Sequence, residues 1–119
     1  MTIIYHITPR TEWETAQAAG TYAADSLNTE GFIHCSTAEQ VISTANRLFK
    51  GRTRLVLLCI DTARVKAEIR FENLEGGSIL FPHVYGALDT GSTIAVHELP
   101  SRSDGSFELP PALRPNAGA

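Results

Sequence analysis

Any chemistry this chain performs depends on a few histidine, hydroxyl and carboxylate side chains, most densely grouped in Glu30-Gly31-Phe32-Ile33-His34-Cys35-Ser36. Phe32 and Ile33 read as a short buried strand opened by Gly31. Ser36, with Glu39 three residues on, has the form of a capping box ahead of a helix. The pattern predicts that His34, Cys35 and Ser36 lie where a strand ends and a helix begins. Backbone N–H groups are free at such a corner, and anions or polar ligands are received there. His34 is therefore a candidate for ligand contact. Neighbours along a strand face opposite sides, so Cys35 points away from His34 while Ser36 shares its side. A nucleophilic Cys35 activated by His34 is disfavoured on that ground.

His6 and His83 also fall at or near strand ends. With Tyr22, Ser26, Ser36, Glu72 and Tyr85 they make up the side chains of a polar cleft centred on His34. No pair of histidines or cysteines shows a local metal-ligand spacing such as His-x-x-x-His or Cys-x-x-Cys, so no metal is expected. His97, inside an alternating run, reads as structural or exposed.

The elements that must position these residues follow from periodicity. Thr2–Ile7 is a β-branched and aromatic strand ended by Thr8-Pro9. A helix follows, with Thr8 as N-cap, Pro9 at its first position, Trp13, Ala16 and Ala19 on one face and Gly20 as its C-terminal stop. Trp13 is expected to anchor that helix in the core. Residues 21–30 hold turn formers and little periodicity, and read as a loop or a short strand plus loop. Thr37–Lys50 is predicted to be an amphipathic helix with Val41, Ile42, Ala45, Leu48 and Phe49 inward. Leu55–Ile60 is a continuous apolar run, expected as a central strand covered on both faces. Val65–Glu72 alternates as a half-buried strand, Ser78–Phe81 forms another that Pro82 ends, and Thr93–Leu99 is the last. The prediction is a single α+β domain over residues 1–100 with two early helices, followed by an irregular, flexible tail over 101–119.

Bulk properties narrow the function classes. The chain has 119 residues, 43% of them hydrophobic and 19% charged, as in ordinary globular domains. A formal charge of −3 and a pI near 5.7 argue against general nucleic-acid binding. Two cysteines, Cys35 and Cys59, lie in apolar runs and suit reduced thiols in a cytoplasmic protein. Neither a signal peptide nor an apolar run of membrane-spanning length is apparent.

Tyr5-His6-Ile7, Trp13, Gly20, Ser26-Leu27, Gly31-Phe32-Ile33-His34-Cys35-Ser36, Gln40, Leu57-Leu58, Ile60-Asp61, Phe81-Pro82-His83 and Tyr85-Gly86 together resemble the family called domain of unknown function 952. That resemblance implies an ADP-ribosyltransferase-like fold, a split mixed or antiparallel β-structure that holds NAD in a cleft. Tyr5-His6-Ile7-Thr8 is similar to the first-strand His-x-Thr element that meets the nicotinamide ribose. Gly31 to Ser36 is similar to the His-x-Ser element of the RNA 2′-phosphotransferase branch, although Glu30 stands where basic residues would be expected beside His34. What the resemblance implies is binding of NAD or an ADP-ribose-like nucleotide, with ADP-ribosyl transfer as the associated activity. His34 and Glu72 would be catalytic, and His6, Tyr22, Ser26, Ser36, His83 and Tyr85 would hold the cofactor, a tyrosine stacking on the nicotinamide. Two alternatives stand beside it: a non-catalytic small-molecule or regulatory module, and a metal-dependent hydrolase using His6, His34 and His83. The acceptor and any protein partner are not specified by the sequence.

Overall fold

The computed structural model of the protein describes residues 2–114. Its frame is a three-stranded antiparallel sheet in the order β1 (Ile3–Pro9), β4 (Leu55–Asp61), β8 (Thr93–Glu98). All seven residues of β4 are buried, as its unbroken apolar run predicts. The pleat sends alternate residues to two cores. On one face Ile4, Val56, Leu58 and Ile60 meet Trp13 and Ala16 of α1 (Arg10–Ala19). On the other, Ile7, Leu55 and Leu57 meet Val41 and Ala45 of α3 (Val41–Leu48). Trp13 is buried as expected, and Gly20 ends α1 at φ 81°, a conformation that glycine adopts without strain.

A second three-stranded antiparallel sheet, in the order β3 (Ile33–His34), β6 (Phe81–Val84), β5 (Ile69–Glu72), carries most of the site. It joins the first at one point, where the Tyr5 and Ser36 N–H groups each donate to the other's carbonyl at 2.8 Å. A short ribbon of β2 (Thr21–Tyr22) with β7 (Leu88–Asp89), a single-turn helix α2 (Asp25–Thr29) and three 3-10 turns complete the regular structure of the described residues. The chain is therefore α+β with three helices and antiparallel sheets.

Several local expectations are corrected. The second predicted helix starts at Val41, not at Thr37, because Ser36 is held by its backbone bridge to Tyr5. The Gln40 side chain accepts from the Thr37 N–H (3.0 Å) in place of a Ser36 cap. Among the described residues no helix starts beside His34, and the Cys35 and Ser36 N–H groups donate to the Pro82 and Tyr5 carbonyls. Residues 25–29 form a helix where a loop was predicted. Pro9 closes β1, and α1 begins after it without a Thr8 cap. Pro82 lies inside β6 instead of ending a strand. Its carbonyl accepts from the Cys35 N–H at 3.0 Å, just past the last β3–β6 pair, His34 with His83. N–H and C=O of one strand residue share an edge, so the donor that proline lacks would face Cys35, one residue past β3, and only that single bond is forgone.

Residues 101–114 hold only a 3-10 turn at Pro111–Leu113, yet they belong to the packed unit. Phe107 is 1% exposed in the second core, and its N–H donates to the Asn46 side chain at 2.7 Å. Packing thus continues past residue 100, while the end of the predicted tail, 115–119, lies outside the described residues. Among the described residues no helix is long and apolar enough to cross a membrane. Replacing Phe107 with Ala is expected to lower the unfolding free energy by ~3–5 kcal/mol in urea titration. A loss below about 1 kcal/mol would show that this segment adds nothing to the core.

Candidate functional site

One face of the second sheet makes the floor of a cleft of about 570 Å³. The register explains its composition. His34 pairs with His83, and Arg70 with His83, so these three share a face, together with residues two away on each strand. Phe32, Ser36, Glu72, Phe81 and Tyr85 are thereby placed on the same side. The opposite face sends Ile33, Cys35 and Val84 into the first core. The separation of His34 from Cys35 expected from strand alternation therefore holds. Burial pushes the Cys35 thiol up to about 12, leaving it protonated and inert.

Glu72 is the hub of the floor. Its Oε1 accepts from His83 Nδ1 at 3.0 Å and from the Tyr85 hydroxyl. Those two bonds, the tyrosine's first, hold Glu72 below the usual carboxylate range. Phe32 stacks on the His83 ring at 4.2 Å and 26°, and the Arg70 guanidinium lies 4.5 Å over the Tyr85 ring. With Nδ1 committed to Glu72, a neutral His83 presents its lone pair at Nε2. The result is a carboxylate-oriented imidazole in a cleft, equipped for general acid–base chemistry.

His34 stands at the rim, half exposed, with Nε2 2.8 Å from Glu30 Oε2. Its ring meets Phe32 at 4.8 Å and His83 at 5.3 Å, both edge-on. From α3, Thr44 and Arg47 line the other wall.

Of the residues expected to hold a ligand, His6, Ser26, His34, Ser36, Glu72 and His83 line the cleft, whereas Tyr22 and Tyr85 do not. Tyr22 is 4% exposed and packs behind His6, because the β2–β7 pairing turns it into the first core; it cannot stack on a bound ring. Tyr85 donates its hydroxyl to Glu72. Ser26 donates to the Phe32 carbonyl at 2.8 Å, and Ser36 is buried with its hydroxyl 3.4 Å from that of Thr44. His6 is buried too. Its Nδ1 donates to the His34 carbonyl at 2.6 Å, and Nε2 lies 2.7 Å from the Tyr22 hydroxyl. Neither nitrogen is left for a ribose hydroxyl. Arg47 was missed by the sequence reading, although Gln40, Thr44 and Arg47 follow one another at helical spacing along a polar face.

Burial pushes His6 down from 6.5 to about 4, opposed by its bond to the His34 carbonyl. Between those values the unfolded chain binds a proton that the folded chain refuses, so acid favours unfolding. At ~1.36 kcal/mol per pH unit, the stability lost through this group approaches about 3 kcal/mol near pH 4. Urea unfolding measured between pH 7 and pH 4 is expected to show that decline, and a His6→Gln variant a flatter profile. Equal slopes would mean that the folded state protonates His6 freely.

The fold is shared with known structures. In its crystal structure, protein CC0527 from Caulobacter crescentus is 34% identical to this chain, covering 94% of this chain and 98% of its own, with a TM-score of 0.85. The solution NMR structure of the same protein is likewise 34% identical, covers 92% and 94%, and gives 0.76. No curated protein matches. A family model described as "Protein of unknown function (DUF952)" matches residues 7–96, a span that includes His34, Glu72 and His83, and the chain belongs to that family.

Proposed function

We propose that the cleft binds a nucleotide of the NAD or ADP-ribose class and that the second sheet presents it as in an ADP-ribosyltransferase-like fold. The observation that carries this reading is the Glu72–His83 pair, set under an aromatic ring in a cleft of about 570 Å³. That volume is in the range of small-molecule and cofactor sites. The ligand's ribose and base would lie against Phe32, His34 and His83, with its diphosphate toward Arg47, the one basic lysine or arginine side chain among the lining residues.

Transfer chemistry suits this arrangement. Breaking the glycosidic bond to nicotinamide develops positive charge at the ribose, which an ionised Glu72 would stabilise. An acceptor hydroxyl would form the new bond to the ribose carbon as nicotinamide leaves. Its proton would pass to His83 Nε2, with His34 orienting the reacting groups from the rim.

A second reading, a module that binds another small molecule without turnover, is favoured by charge. Glu30, Glu72 and Glu75 line the cleft against a single arginine, a balance that suits a neutral hydroxylated or cationic ligand. The metal-dependent hydrolase loses its ligand set, since both ring nitrogens of His6 are engaged within the protein. Among the described residues no group of three or more His, Cys, Asp or Glu is gathered around a metal position.

Calorimetric titration with NAD and with ADP-ribose is expected to give saturable binding below millimolar, weakened about tenfold or more by His34→Ala or Arg47→Ala, a change of ~1.4 kcal/mol. Nicotinamide release that survives Glu72→Gln would remove the catalytic role of Glu72. No heat from either nucleotide at millimolar concentration would overturn the nucleotide reading and leave the binding module.

A further inference from the structure

A series of side chains runs away from the cleft on the face of β1 that carries His6 and Thr8. His6 Nε2 is 2.7 Å from the Tyr22 hydroxyl, which is 3.1 Å from Thr8 Oγ1, which is 3.1 Å from Glu12 Oε2. Thr8 and Tyr22 are 1% and 4% exposed, whereas Glu12 reaches solvent on α1. The series has an open end at each side of the molecule. His6 lines the cleft, and Glu12 with Tyr22 lines a separate groove along α1.

Counting protons shows what the series lacks. Each hydrogen bond needs one proton between its two atoms. His6 Nδ1 must carry a proton, because its partner is a carbonyl oxygen at 2.6 Å. In a neutral ring Nε2 is then bare. Tyr22 and Thr8 bring one proton each, so with Glu12 ionised there are two protons for three contacts. One contact sets lone pair against lone pair, and two of the three contacts are buried, where an unmade hydrogen bond is costly.

We propose that Glu12, Thr8, Tyr22 and His6 form a proton relay that takes up one proton at the α1 surface and delivers it to the imidazole beneath the cleft. A proton from solvent binds Glu12 Oε2 and passes to Thr8 Oγ1, as the Thr8 proton passes to Tyr22 Oη and the Tyr22 proton to His6 Nε2. Three bonds break along the series and three form, converting a carboxyl and a neutral imidazole into a carboxylate and an imidazolium. All three contacts are then made. The Nδ1–H bond to the His34 carbonyl becomes charge-assisted and tightens the backbone of the residue at the cleft rim. His6, Tyr22, Thr8 and Glu12 are thus positioning residues for His34, whatever ligand the cleft takes.

Other groups facing the series are few. Burial, and after it the His34 ring, oppose charge on His6. Asp25 of α2 and the Cys35 thiol face Tyr22, while β4 sets the apolar Leu58 opposite His6. Burial therefore delays uptake to well below neutral pH, and the completed series of bonds opposes that delay.

Imidazole ¹⁵N shifts of the whole protein, followed against pH, test the relay. The expected result is an Nδ1–H tautomer at neutral pH, with Nε2 protonating as the pH falls. Glu12→Gln, at an exposed position, is expected to move the His6 midpoint down by about one pH unit, the scale of one hydrogen bond gained when the imidazole is charged. Thr8→Val is expected to do the same with Glu12 intact, Thr8→Ser to retain the original midpoint, and Tyr22→Phe to provide a second break. Midpoints unchanged in Glu12→Gln overturn the proposal, as does an Nε2–H tautomer at neutral pH. A midpoint moved by Glu12→Gln but by neither break in the series means attraction through space and also overturns it.

Discussion

The site depends on one pair of backbone hydrogen bonds, the bridge between Tyr5 and Ser36. It ties the first strand of one sheet to the end of the first strand of the other. With both N–H groups donating at 2.8 Å, the two chains are locked in antiparallel register. That register sets the His34 carbonyl over the His6 ring. It also removes Ser36 from the start of α3, which begins five residues later. The displaced helix stands back from the second sheet, and the space between α3 and that sheet is the cleft.

Two histidines show how hydrogen-bond partners separate the surroundings of one residue type. His6 is enclosed, with both ring nitrogens committed, and the free energy of burying a charge drives its titration down. His83 is no more exposed, yet only its Nδ1 is committed, to a carboxylate that Tyr85 also holds. The ordered Glu72 orients the ring without consuming Nε2. The first histidine braces the wall of the cleft, and the second lines it with one nitrogen uncommitted. The sequence pattern singles out His6 at the first strand, whereas the hydrogen bonds leave His83 with the free ring nitrogen.

Much of the architecture was legible because it is written in local period. The unbroken Leu55–Ile60 run could only be a strand covered on both faces, and the Trp13, Ala16 and Gly20 spacing marked α1 and its stop. Alternation placed Cys35 opposite His34 before any contact was known. The failures share one cause. Ser36-x-x-Glu39 and Thr8-Pro9 are sound helix starts in isolation, but a backbone bridge claimed Ser36 and the sheet claimed Pro9. Pro82 is tolerated inside β6 because its missing donor falls at the end of the pairing, where a single bond to Cys35 is forgone.

By itself the sequence determined the class of fold, the central strand, the buried thiols and the shortlist of polar groups, because each follows from residue type and nearest-neighbour spacing. Only the tertiary structure decided which of those groups face ligand and which serve one another. Tyr22 and His6 lie 16 positions apart and Glu72 and His83 lie 11 apart. No local pattern shows that the first pair closes in the core while the second opens into the cleft. Strand pairing between distant segments sets that difference, and with it the supply of water and hydrogen-bond partners to each ring.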